Sequence, residues 1–446
     1  MTTTYDYEVL YLGSGHGTFD GAIPLASKGV KVGIVEEGLI GGTCPNRGCN
    51  AKITLDAPVA VQRQVAALNP VLTGKTTIDW AANMAHKSAV IDGLPAMIGG
   101  LLTGVGIDVI SGRGRLADAH TVMVAGQPHT AEKIVLSTGL HAHRLAVPGQ
   151  EYLNDSTDFL ALTQLPQRLL IIGGGYIALE FATIASAAGS DVTLLLHGDQ
   201  ALRSFHQPFV EQVLAELTAQ GVTIQRNQET AAVAPTGDGA YTLTTATGAT
   251  YTADWILDAT GRDPNTADLG LEDVGVAYTE NGIVVNDHLQ TSVPNIYASG
   301  DVIDKSQPRL TPTAIFESTY LMHQFAGEST APIDYPAIPT VAFTSPRLAQ
   351  VGVSVATAQA HPETYDVVAH HVPDDWYRQV GQETSGDNLL VFDKAHHLVG
   401  ATEVSDQAAD VINTLLPAIV FGYEPAQLER LVPLFPTIGA DVWGQL

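Results

Sequence analysis

Cys44 and Cys49 are the only two cysteines among 446 residues, and four residues separate them. They lie in the run Gly-Gly-Thr-Cys-Pro-Asn-Arg-Gly-Cys-Asn-Ala-Lys, from Gly41 to Lys52. A chain that avoids cysteine elsewhere and keeps two here uses them together. Gly48 allows a tight turn that brings the sulfurs within bonding reach. A structural bridge over so short a loop would remove little chain entropy. The chemistry this spacing suits is a disulfide made and broken in turnover. Attack by such a pair requires a thiolate with a lowered pKa. Release of a thiol from a disulfide substrate requires an acid.

The elements before the pair would position it. Residues 7–13 read as a buried strand ended by glycine, followed by Gly13-Ser14-Gly15-His16-Gly17-Thr18 and a helical stretch to Lys28. A second strand, 30–35, ends in Glu36. Strand, glycine turn, helix, strand and acid form a dinucleotide site. Gly13 and Gly15 let the backbone approach a pyrophosphate at the helix N-terminus, and Glu36 accepts from ribose hydroxyls. Thr18 occupies the third small position, which serves helix–strand packing.

The pattern repeats after a linker at 147–149. An apolar strand, 168–172, runs into Gly173-Gly174-Gly175-Tyr176-Ile177-Ala178, a helix through Ala188 and a strand at 191–196. No acid closes this strand. Leu196 stands in its place, His197 follows and Arg203 lies a few residues on. A missing carboxylate with cationic groups nearby suits a 2′-phosphate, so NADP is expected, with NAD as the alternative.

Between the two units, 56–68 and 80–102 have helical spacing, and 108–110, 121–124 and 133–136 read as strands. The stretch 281–297 is strand-like. It leads to Ala298-Ser299-Gly300-Asp301, a loop suited to a flavin's ribityl chain or phosphate. Leu310-Thr311-Pro312-Thr313-Ala314 opens a helix to Phe325. Beyond 331, strands at 339–343 and 350–353, a hairpin at 389–392 and 397–401, and a helix at 406–420 kinked or ended at Pro417 suggest an α+β domain. The fold class is α/β: two Rossmann-like dinucleotide-binding domains plus a C-terminal α+β dimerisation domain. The expected boundaries are 1–150 with 265–328 for the first dinucleotide domain, to which the family resemblance drawn below assigns FAD, 151–264 for the second, NAD(P), domain and 329–446 for the dimerisation domain.

Bulk properties exclude other classes. The net charge of −26, from 47 acids against 21 Lys and Arg, disfavours nucleic acid or an anionic membrane as partner. Charged residues make up 15% and apolar ones 45%, an ordinary globular balance. No signal-like start or run of eighteen apolar residues occurs, so a cytoplasmic setting is expected. Fifteen histidines show no metal-ligand spacing.

Taken together, Gly41–Cys49, the turns at Gly13 and Gly173, Thr260-Gly261-Arg262, Gly300-Asp301 and Leu310-Thr311-Pro312 resemble the pyridine nucleotide–disulfide oxidoreductases. Glutathione reductase, dihydrolipoamide dehydrogenase and mercuric reductase belong to that family. The resemblance runs from Tyr7 to about Thr437. It implies a homodimer in which hydride passes from a nicotinamide to FAD and electrons then reach the dithiol. Cys49 would face the flavin and Cys44 would attack substrate. Lys52, three residues after Cys49, would pair with Glu180 near the flavin. FAD would lie against Gly13, Gly15, Gly17, Glu36, Gly42, Thr43, Gly114, Thr138, Gly139, Arg262, Asp301, Thr311 and Ala314. The nicotinamide nucleotide would lie against Gly173, Gly175, Tyr176, Ile177, His197, Arg203 and Gly261.

The chain departs from the family at its end. The family places a His before Pro-Thr and a Glu shortly after, as an acid pair for the partner's dithiol. Here the segment reads Leu434-Phe435-Pro436-Thr437-Ile438-Gly439-Ala440-Asp441. Phe435 cannot donate a proton and Ala440 cannot orient one, while Asp441 is a poor acid unless buried. Two acceptors follow: a small disulfide protonated by another group, or an oxidant without a thiol leaving group, such as a metal ion or quinone. A non-catalytic flavin redox sensor is the third reading.

Overall fold

The structure is a computed structural model that describes residues 5–446. The reading of the N-terminal residues 1–4 lies outside the described residues. The chain divides into two compact units. One comprises residues up to Lys52, His86–His143 and Arg262–Tyr335, and the other Ile53–Ala85, Arg144–Gly261 and Pro336–Leu446.

The first unit is built on one sheet. Its strands are β1 (Tyr7–Leu12), β2 (Val32–Glu36), β3 (Asp108–Ser111), β4 (Gly114–Asp118), β5 (Thr121–Val124) and β6 (Gln127–Leu136), in the order β3-β2-β1-β6-β5-β4. β3, β2, β1 and the second half of β6 run parallel, and Ile296–Ala298 adds a further parallel strand beside β6. The first half of β6 pairs antiparallel with β5. Parallel strands are covered on both faces, so β1 and β2 read as almost unbroken apolar runs rather than alternating ones. Val9, Leu10, Tyr11, Ile34, Ile134 and Val135 form the centre of this core. The stretch expected to be strand-like at 281–297 is mostly irregular. Only Gly282–Ile283 and Ile296–Ala298 join ladders, because Asn286, Gln290 and Thr291 tie the backbone into local turns.

The second unit contains the parallel sheet of the second glycine turn, with strands Thr223–Gln225, Asp191–Leu195, Arg168–Ile172 and Trp255–Asp258 side by side. Its C-terminal part is a five-stranded antiparallel sheet. There Asp387–Asp393 and Leu398–Ser405 make the expected hairpin, and Ala408–Phe421 packs against it. Pro417 neither ends nor breaks that helix, which continues to Gly422 at φ +57°. The expected helix at 80–102 is two helices, Trp80–Ile91 and Leu94–Gly104, interrupted at Asp92-Gly93. The helix expected from residue 56 begins earlier, at Cys49, and runs to Ala67.

Within this unit Arg347 forms a fork on Asp56, with Nη1 3.0 Å from Oδ1 and Nη2 on Oδ2. The Asp56 side chain is fully buried. Arg347→Ala leaves that carboxylate unpaired, so denaturant unfolding is expected to show a loss of about 3–5 kcal/mol. A loss below about 1 kcal/mol would mean that water reaches Asp56.

Candidate active site

The dithiol segment folds as a short helix, Thr43–Arg47, a break at Gly48, and the long helix Cys49–Ala67. Gly48 is needed for close approach. A Cβ there would lie 3.0 Å from the Thr43 carbonyl oxygen and 3.2 Å from Cys44 Cα. The fold-back that this allows sets the two thiols against each other. Both are free thiols, Cys44 half-buried and Cys49 exposed. Asn46 steadies the turn by donating to the carbonyls of Ile40 (3.0 Å) and Gly42 (2.8 Å).

The two sulfurs differ in electrostatics. Cys49 is held down to about 5, first by the Cys44 thiol directed at it, then by the Thr311 hydroxyl and the Lys52 charge. Its Sγ lies 3.5 Å from Thr311 Oγ1. As the first residue of a nineteen-residue helix, it also sits at the positive end of the macrodipole. Cys44 is pushed up, because its proton is shared with the Cys49 sulfur and burial adds to the effect. The segment therefore carries one thiolate and one thiol near neutral pH.

The first glycine turn lies at the carboxyl end of β1, where parallel sheets bind nucleotides. Gly13 has φ +99°, and a Cβ there would sit 2.3 Å from the Ser137 carbonyl oxygen. A Cβ on Gly42 would come 2.8 Å from Gly15 Cα, and one on Gly17 3.2 Å from Gly300 Cα. The turn, Gly42-Thr43 and the Gly300 loop thus converge with no room for side chains. Glu36 holds the turn by accepting from Ser14 N at 2.9 Å and Ser14 Oγ at 2.6 Å. Thr138 and Asn265 exchange hydrogen bonds beside Gly139, and Arg262 donates to the Leu140 carbonyl at 2.7 Å. Thr311 and Ala314 lie on the first turn of the helix Thr311–Phe325. Asp301 Oδ1 is buried with no hydrogen-bond partner. A buried acceptor left over beside a glycine cradle fits the ribityl hydroxyls of FAD. Asp301→Ala is expected to weaken FAD binding to the apoprotein by roughly 10–100-fold, the scale of one hydrogen bond to a charged group. Unchanged FAD affinity would remove Asp301 from the site.

Two expected residues have other surroundings. Gly114 is buried at the start of β4, where a Cβ would press on Leu12 and Val122. Thr18 is fully buried with its hydroxyl unpartnered. The close packing that a third glycine would serve is provided one turn later by Gly21, whose added Cβ would lie 2.1 Å from the Ser318 carbonyl oxygen.

Sequence reading missed a buried network behind the cradle. Glu317 accepts from Gly300 N (2.6 Å), Lys305 Nζ (2.6 Å) and Tyr335 Oη (2.8 Å), so it fixes the loop that carries Asp301. Its one signal in the sequence is an acid on the otherwise uncharged buried face of the Thr311 helix.

In the second unit, Gly173 has φ +132°, and a Cβ there would lie 2.3 Å from the Ala259 carbonyl oxygen. Gly175 caps the helix Tyr176–Ala187, with open space where a side chain would be. That end is ready for a phosphate. Tyr176 packs on Phe205 and Ile177 is half-buried, while Gly261 is exposed. Leu196 is fully buried, so it does not present itself at the strand end as a ribose-binding acid would. The exposed charged or cationisable groups there are His197, Asp199 and Arg203, the last with its guanidinium over Gly198. Glu180 is buried and accepts from Phe343 N at 2.9 Å. Lys52 is buried in the first unit.

In the C-terminal part, Phe435 is 69% exposed and tilts against Trp376 at 5.7 Å between ring centroids. Thr437 caps the last helix, Ile438–Trp443. Asp441 is raised to about 6, chiefly by burial and then by Asp375. Among the described residues no helix is long and apolar enough to cross a membrane.

Comparison with known proteins agrees with this geometry. Residues 7–318 match the pyridine nucleotide-disulphide oxidoreductase family, and residues 338–444 match its dimerisation domain. The chain is 34% identical to a dihydrolipoyl dehydrogenase of Bacillus subtilis, over 97% of this chain and 94% of that one. It is 34% identical to a mercuric reductase of Staphylococcus aureus, over 94% of this chain and 78% of that one. The solved structure of RclA, an HOCl-induced flavoprotein disulfide reductase from Escherichia coli, superposes with a TM-score of 0.89 at 26% identity, covering 99% of each chain. With a pair of facing thiols, two glycine-turn nucleotide folds and a match to a dimerisation domain in one chain, the protein belongs to the pyridine nucleotide-disulphide oxidoreductases, flavoenzymes that bind FAD and a pyridine nucleotide.

Proposed function

We propose that the protein is a cytoplasmic, homodimeric NADPH-dependent flavoenzyme that stores two electrons on Cys44 and Cys49 and passes them to a small disulfide. The observation that carries this reading is the asymmetric pair, a Cys49 thiolate at a helix N-terminus against a protonated Cys44. When bound, FAD supplies a two-electron relay between nicotinamide and dithiol. Its domain spans 1–150 and 265–328, with NADP held by 151–264 and subunit association by 329–446. Cys49 takes up the Cys44 proton, and the Cys44 thiolate attacks one substrate sulfur, forming a mixed disulfide as the substrate S–S bond breaks and the first thiolate leaves to be protonated by solvent. Cys49 returns its proton to solvent and its thiolate then attacks the Cys44 sulfur, forming the Cys44–Cys49 disulfide and releasing the second thiolate, which solvent protonates. Within the first unit the Lys52 charge favours the Cys49 thiolate.

A second acceptor class, metal ions or quinones, is favoured by Phe435, which offers no proton to a departing thiolate. The third reading, a redox sensor without turnover, predicts dithiol oxidation with no steady NADPH consumption.

The nucleotide preference rests on Leu196 standing where an acid would bind a ribose, with His197 and Arg203 nearby. Arg203→Ala is expected to raise KM for NADPH by roughly 10–100-fold and to leave KM for NADH nearly unchanged. Equal effects on both would remove the 2′-phosphate contact.

A further inference from the structure

The loop that carries Asp301 is gripped from behind at one residue, Gly300. Glu317 Oε2 accepts from Gly300 N, and Lys305 Nζ donates to the Gly300 carbonyl at 3.0 Å, so both polar backbone groups of that residue are bound by side chains. Gly300 has φ +78°, and Ser299 before it donates to the Gly17 carbonyl at 2.8 Å. Lys305 and Tyr335 both donate to the other Glu317 oxygen, Oε1. The side chains of Lys305 and Glu317 are almost entirely excluded from water. Burial pushes the Glu317 carboxyl up, and the Lys305 charge is the main influence opposing it.

Two acids at this loop therefore have opposite standing. Both oxygens of Glu317 are engaged within the protein. Asp301, one residue past the grip, has a buried Oδ1 without a partner. Fold stability does not account for the ion pair, because a buried pair gives little over apolar residues of similar volume. What the pair adds is direction. With the N–H and the carbonyl of Gly300 both held, the peptides on either side of it resist rotation, and Asp301 keeps its carboxylate in place with one oxygen unmatched.

We propose that Lys305, Glu317 and Tyr335 are positioning residues for the flavin, which slow the loss of FAD by holding the Asp301 carboxylate ready for its ribityl hydroxyls. They act through Gly300. The proposal rests on the ribityl reading of Asp301, which Asp301→Ala tests by itself.

The test follows FAD release from the purified full-length holoprotein by the rise in flavin fluorescence after dilution. Glu317→Ala is expected to speed release by roughly 10–100-fold, the scale of one hydrogen bond to a charged group. In an Asp301→Ala background the same change is expected to add less than about threefold, because the group it positions is gone. A merely structural role gives the same factor in both backgrounds. Thermal unfolding establishes that each variant is folded. Should Glu317→Ala fail to fold with Lys305 left unpaired, Lys305→Met combined with Glu317→Gln takes its place. That pair carries no charge and keeps an acceptor for Gly300 N, so it is expected to speed release by about three- to tenfold, again only where Asp301 is present. Unchanged release from Asp301→Ala overturns the ribityl reading and the proposal with it. Equal factors with and without Asp301 overturn the proposal alone, as does release at the wild-type rate from the folded Glu317 variants.

Discussion

Cys44→Ser is expected to abolish turnover of disulfide acceptors, with a loss of at least roughly 10⁴-fold, the scale of removing a covalent nucleophile. The serine hydroxyl has nearly the same shape but no accessible anion and no S–S chemistry. The paired variant Cys49→Ser separates the two roles. On anaerobic two-electron reduction the wild type is expected to show long-wavelength absorbance from a thiolate beside the flavin. Cys44→Ser should retain that absorbance and Cys49→Ser should lose it. Alkylation supplies an independent reading of Cys49. With a pKa near 5, its thiolate fraction is complete at neutral pH and falls as pH drops through 5. Iodoacetamide modification of the reduced protein should therefore be flat above about pH 6 and drop roughly tenfold per unit well below 5, whereas an ordinary thiol near 8.5 would still be accelerating at pH 7. Quinone or metal-ion reduction that survives Cys44→Ser would show that electrons reach those acceptors without the interchange thiol.

Phe435→His combined with Ala440→Glu is expected to raise small-disulfide turnover by about 10²–10⁴-fold, the usual contribution of a placed acid. The argument is chemical. A thiolate leaving group departs slowly unless protonated, and neither a phenyl ring nor a methyl group carries a proton. Phe435 is exposed, so an imidazole there has room and little desolvation to overcome. Its gain should be confined to disulfides. Quinone reduction, which has no thiol to release, should change by less than about threefold. The restored activity should fall as pH rises past the histidine's pKa, unperturbed at about 6.5, because the acid form is then lost. If the double variant leaves disulfide turnover at the wild-type level, the missing proton is not what limits the reaction. A non-disulfide acceptor or an acid from another group would then stand.

Much of this protein was legible in its sequence because its chemistry is written in short segments. The cysteine spacing and Gly48 specify a fold-back by local sterics alone. Each strand–glycine turn–helix unit is set by nearest-neighbour geometry, since only glycine tolerates φ +99° at Gly13 or φ +132° at Gly173. Phe435 was legible as an absence, because a phenyl group has no proton to give in any fold. What depended on the tertiary structure involves partners far apart in the chain. Asp56 meets Arg347 across 291 residues, and no periodicity announces such a pair. Gly21 takes over the packing of a missing third glycine only because Ser318 comes to lie on it. Glu317 grips Gly300 because burial removed competing water from an acid that sequence alone would place at the surface. Pro417 stays helical, although local propensity opposes it, because the surrounding helix is anchored by Val411, Ile412, Leu415 and Ala418 in the sheet's core. Local pattern determined which atoms could react; long-range packing decided which charges were buried, paired or left waiting for a ligand.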